Sequence, residues 1–95
     1  MKLRYTVEAL RHIDSIYSYI ERRNPEAAAR VVVRIRAAAE QLSEFPQIGH
    51  TGIVADTREW VVKGLPYVLV HETDTQAGEL VILAVFHGAQ DRERE

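Results

Sequence analysis

Two histidines and two cations in the second half of the chain have side chains suited to chemistry: His71, His87, Arg58 and Lys63. Metal-free cleavage of RNA needs one group to take the 2′-hydroxyl proton and another to protonate the leaving oxygen. It also needs cations that hold the phosphate as charge develops. An imidazole titrates in the right range for both proton steps, and a guanidinium or an ammonium can face a phosphate. These four residues are therefore the candidates for nuclease chemistry. Charge argues against it: residues 1–36 sum to +4 while residues 37–95, where all four candidates lie, sum to −6, a poor funnel for a polyanion. A lone histidine at the end of an apolar run, as His87 is, more commonly serves as a structural hydrogen-bonding residue than as a catalyst.

The remaining reactive types add little. His12 and His50 read as surface or capping residues, and the four histidines show no HExxH spacing. Without cysteine there is no thiolate zinc site, no disulfide and no cysteine nucleophile. No metal and no cofactor are expected. Trp60 and Tyr67 are types that stack on bases, but in strands such aromatics chiefly pack.

The elements that must position these residues follow from periodicity. Thr6 with Glu8 reads as an N-cap and a first-turn acid, and Ala9, Leu10, Ile13, Ile16, Tyr17 and Ile20 then recur at helical steps. Asn24-Pro25 caps and opens a second helix, with Ala28, Val31, Val32, Ile35, Ala38, Ala39 and Leu42 along one stripe. The short link makes the two an antiparallel hairpin, ended by Phe45-Pro46-Gln47-Ile48-Gly49. Three strands are predicted beyond it, over 58–63, 67–73 and 79–87, joined by Gly64-Leu65-Pro66 and a polar turn at 74–78. The expected fold is α+β: a short N-terminal strand at Leu3-Arg4-Tyr5, then the helical hairpin packed on a three-stranded antiparallel meander.

One strand does not fit a sheet covered on a single side. Leu80, Ile82, Ala84 and Phe86 make one apolar face, and Val81, Leu83 and Val85 make the other, with Val68 to Val70 repeating the pattern next door. Two helices cover one face, and the other would exceed what monomers leave exposed. Tyr67, Leu69, Val81, Leu83 and Val85 are therefore the expected partner-binding residues; the competing reading is a strongly curved sheet that wraps the hairpin or is covered by the 45–57 loop. Arg30 and Arg34 are either a solvated helix face or a contact for acidic partner residues.

Ninety-five residues, 46% of them hydrophobic, make one domain, 1–95, with a single modest core. The longest apolar run, residues 81–86, is far short of the ~20 residues that span a bilayer, so neither a membrane segment nor a signal peptide is expected, and the lack of cysteine suits the cytosol.

The order of elements, with Tyr19-Ile20, Asn24-Pro25-Glu26-Ala27-Ala28, Phe45-Pro46-Gln47-Ile48-Gly49, Arg58-Glu59, Gly64-Leu65-Pro66-Tyr67-Val68-Leu69-Val70 and His87-Gly88-Ala89, resembles the RelE/ParE superfamily of bacterial toxins. The resemblance covers nearly the whole chain. It implies the same fold and a growth-arresting toxin silenced by a cognate antitoxin, ParD-like and ribbon-helix-helix. In that scheme DNA is contacted only through the antitoxin. RelE-like toxins cut messenger RNA in the ribosome, whereas ParE-like toxins are associated with inhibition of DNA gyrase and lack the nuclease residues. Here the family's arginine after His-Gly-Ala is Gln90, the tyrosine ending the middle strand is His71, and the chain closes on Asp91-Arg92-Glu93-Arg94-Glu95. The ParE-like, non-nucleolytic branch is the expectation, with a ribosome-dependent endoribonuclease using His87, Arg58, Lys63 and His71 as the alternative.

Overall fold

The computed structural model describes residues 1–88. Its elements run β1 (Lys2–Tyr5), α1 (Val7–Glu21), α2 (Pro25–Glu44), β2 (His50–Thr51), β3 (Arg58–Val61), β4 (Tyr67–Asp74) and β5 (Glu79–His87). Both helices start where their caps demand. The Thr6 hydroxyl accepts the Ala9 N–H at 3.0 Å, and the Asn24 side-chain oxygen accepts the Ala27 N–H at 3.1 Å, with Pro25 opening α2. None of the described helices is long and apolar enough to cross a membrane.

The α+β reading holds, and the sheet is larger than the meander. Five strands lie in the order β1-β5-β4-β3-β2. The meander is its centre; β1 joins in parallel beside β5, with Lys2 opposite Glu79 and Tyr5 opposite Ile82, and the two-residue β2 is added to β3. The helices cover one face. Ala9 and Ile13 of α1 and Ile35, Ala38, Ala39 and Leu42 of α2 close on Tyr67, Leu69, Leu80, Ile82 and Val85 of the sheet.

A bulge corrects the two-faced reading of the last strand. Val70 pairs with Ala84 but His71 pairs with Ile82, so Leu83 is an extra residue on β5. The inserted residue reverses the in–out alternation beyond it. Leu80 and Ile82 face the helices before the bulge; after it Val85 does, beside Leu69. Strict period two would have placed Val85 outward. Nor is the far face an open apolar surface: Val68, Val70, Val81 and Ala84 are all buried, because they stand on the central strands with a neighbour on either side. Val81, for example, lies in register between Arg4 and Glu72.

Candidate functional site

The four residues with nuclease chemistry fall at opposite ends of the sheet. Arg58 and His71 are register partners on β3 and β4. His87 pairs with Tyr67 at the far end of β4, their rings edge to face with centroids 5.6 Å apart, and Lys63 sits in the adjoining turn. Tyr67 and His71 are four residues apart, and four residues of strand span ~14 Å. One scissile phosphate cannot meet both histidines.

Each pair is engaged locally. The Arg58 guanidinium donates to the Gly49 carbonyl at 2.6 Å and reaches the Gln47 carbonyl at 3.5 Å, which ties down the loop between α2 and β2. His71 is fully buried, and neither ring nitrogen has a hydrogen-bond partner. Burial, then the Arg58 charge, then His50 push its pKa from 6.5 down to about 4, so the ring is neutral at neutral pH. The Lys63 carbonyl accepts a hydrogen bond from Arg34 of α2, which serves the β3–β4 turn in this way. Arg30 is exposed and lines a 220 Å³ hollow with Arg34, Val31 and Leu65. Among the described residues no group of three or more histidines and carboxylates is placed to hold a metal ion.

The residues expected to meet a partner are distributed differently from the sequence reading. Leu69 has no exposed surface, Val81 and Val85 are 1% and 3% exposed, Tyr67 is 9% exposed, and Leu83 is half-buried. A ring-lined groove of about 350 Å³ lies elsewhere, between α1 and the ends of β4 and β5. Its α1 wall is His12, Ser15, Ile16 and Tyr19; its sheet wall is Tyr67, Val85, Phe86 and His87. Only Tyr67 and Val85 were expected as partner contacts, and His87 only as a catalyst.

Local chemistry explains why α1 leaves a groove here. β1 ends opposite Ile82, so beyond that point the edge of β5 needs other partners. The Thr6 hydroxyl donates to the Leu83 carbonyl at 3.0 Å, and the Val85 N–H donates to His12 Nδ1 at 3.1 Å. An accepting Nδ1 puts the proton of the neutral ring on Nε2. The imidazole then lies 5.3 Å from the Phe86 ring, tilted by 41°. At the rim Tyr19 is 64% exposed, with the Arg23 guanidinium 5.9 Å from its ring centroid. Burial, followed by the nearby Tyr19, raises the Tyr67 pKa, so its phenol stays protonated and can donate. His12, Ile16 and Tyr19 stand at steps of four and three residues, a helical stripe that could have flagged this wall in the sequence. Gln90 and the 91–95 tail, which weighed against nuclease chemistry, lie outside the described residues.

Comparison with known proteins adds kinship to this geometry. Residues 3–92 match the family model described as ParE toxin of type II toxin-antitoxin system, parDE. The chain is 40% identical over 89 residues, covering 94% of it and 90% of the relative, to the putative toxin Y4kP of Sinorhizobium fredii. It is 38% identical over 65 residues, covering 68% and 72%, to toxin RelE2 of Caulobacter vibrioides. Among solved structures, the chromosomal ParDE system of P. aeruginosa superposes with a TM-score of 0.75 at 24% identity, over 92% of this chain and 95% of that one. The isolated E. coli RelE toxin superposes at 0.70 and 13% identity, over 98% and 89%. At such identities the two structures speak to fold.

Proposed function

The chain belongs to the ParE family of toxins from type II toxin-antitoxin systems, and on that premise we propose that it arrests growth by binding a protein, with DNA gyrase as the target, rather than by cutting RNA. A ParD-like antitoxin of the ribbon-helix-helix type holds it silent in the cytoplasm and supplies all contact with DNA. The observation that carries the reading is the separation of His87 and Lys63 from Arg58 and His71 along β4: an acid, a base and cations that cannot converge do not make a nuclease. The neutral, buried His71 and the loop-bound Arg58 support it.

The antitoxin's toxin-binding segment is assigned to the groove beside α1. Ile16, Val85 and Phe86 offer it apolar floor, Tyr19 and Tyr67 offer rings with hydroxyl donors, and Arg23 at the rim offers a cation for an acidic residue. Val81 and Leu69 drop out of the contact set because they do not line this groove, and Arg34 of α2 is kept for the β3–β4 turn through the Lys63 carbonyl.

A supercoiling assay with purified toxin tests the target, and primer extension on translated messages after induction tests the alternative. Inhibited supercoiling with intact messages is the expected outcome. Codon-phased cuts that disappear in His87→Ala would replace this reading with the endoribonuclease one.

A further inference from the structure

Outside the groove, one buried titratable group is used by neither the fold's hydrogen bonds nor the proposed function. His71 sits under the loop that connects α2 to β3. A Cβ added to Gly49 would lie 2.7 Å from His71 Nε2 and 2.8 Å from the Glu59 carbonyl oxygen, so only a glycine lets the loop close this tightly over the ring. Arg58 holds the same loop from the side, through the Gly49 carbonyl at 2.6 Å. What the loop covers is a ring with two unpartnered nitrogens and no solvent exposure.

We propose that His71 is an acid-sensitive latch: protonating its ring releases the Gly49–Thr51 segment and β2 from the sheet while β4 and β5 stay paired. The charges around the ring set the direction. Arg58, beside the ring on β3, and His50, from the covering β2, both oppose a positive ring. Asp56, Glu72 and the amino-terminal Met1 line the hollow next to His71, but the Met1 ammonium is bonded to the Ser43 carbonyl and neither carboxylate is among the groups that act on the ring. β5 contributes Ile82, which is apolar, opposite His71. A protonated ring therefore holds two N–H donors with no acceptor and becomes a second cation beside Arg58. Water relieves both, and the cover nearest to it is the weakest part of the sheet. β2 has two residues and two register pairs, His50–Glu59 and Thr51–Arg58, whereas β4 and β5 share eight.

Hydrogen exchange read residue by residue tests the latch. The reporters are Gly52, whose N–H donates to the Thr57 carbonyl at 2.8 Å, and Glu59, the partner of His50; Val70 and its register partner Ala84 report on the sheet centre. Between about pH 7 and about pH 5, protection at Gly52 and Glu59, corrected for intrinsic exchange, is expected to fall on the order of tenfold, with Val70 and Ala84 holding theirs. In His71→Phe the fall at Gly52 and Glu59 should vanish. An equal fall in the variant overturns the proposal, as does a fall of equal size at all four amides in the wild type. If His71→Phe does not fold, the wild-type ring carries the test by NMR titration. The fall in Gly52 protection must level off at the pH where the buried His71 ring titrates, and a fall that levels off well above that midpoint or runs on below it overturns the latch.

Discussion

The two ends of β4 place a histidine in opposite circumstances. In its C-terminal half His71 lies under a glycine, its ring without hydrogen bonds and neutral at neutral pH; at its N-terminal end, Tyr67 and its β5 partner His87 line an open, ring-lined groove. Residues that look equivalent in sequence, aromatic and titratable on the meander strands, therefore divide into one place where a loop covers the ring at neutral pH and one that offers surface. The reason is the cover each receives. The 45–57 loop reaches across the sheet edge in one place, whereas in the other the β5 edge beyond β1 is bonded by the Thr6 and His12 side chains and the groove opens beside them.

Acid should separate the two ends most sharply. The folded chain holds His71 near pKa 4 against 6.5 unfolded, so its contribution to stability is intact above 6.5 and is lost as pH falls toward 4, where it levels off. The expected loss is about 3 kcal/mol in chemical denaturation, absent in His71→Phe. An unchanged slope in that variant would assign the acid lability to other groups.

Next in size is the glycine itself. Gly49→Ala meets His71 Nε2 and the Glu59 carbonyl at less than 3.0 Å, and should cost about 2 kcal/mol. Equal denaturation midpoints for the two proteins would mean that the loop does not press on the ring. At the open end, His12→Ala removes the acceptor of the Val85 N–H and should cost about 1 kcal/mol, a smaller loss because water can enter the groove and take its place. A cost above that of Gly49→Ala would reverse the ranking of the two ends.

Tyr19→Ala should barely alter stability, by under ~0.5 kcal/mol, because that side chain is 64% exposed. Its effect is expected in binding. Titration calorimetry with the antitoxin should show an affinity lower by roughly tenfold, with Val33→Ala, equally exposed on α2, as the neutral comparison. If Val33→Ala weakened binding and Tyr19→Ala did not, the helical hairpin would take the groove's place as the docking surface.

The helices were legible because their information is local. Thr6 and Asn24 cap at three-residue range, and Ala9, Ile13, Ile35, Ala39 and Leu42 are buried as their spacing requires. The meander was legible from its turns for the same reason. The groove was half legible: Tyr67 and Val85 were singled out, while His12 passed as a surface residue because the N–H that it accepts belongs to Val85, 73 residues further on.

By itself, then, the sequence determined the α+β class, the hairpin and its buried stripe, the antiparallel centre of the sheet and the toxin kinship, all carried by patterns within a few residues of one another. Tertiary structure alone decided the parallel seat of β1, the bulge at Leu83, the sealing of His71 and the separation of His87 from Arg58. Nothing in Val81-Ile82-Leu83-Ala84-Val85-Phe86 marks Leu83 as the inserted residue. Each of its side chains is apolar, so either register buries a hydrophobe, and only the neighbouring strands' hydrogen bonds choose between them.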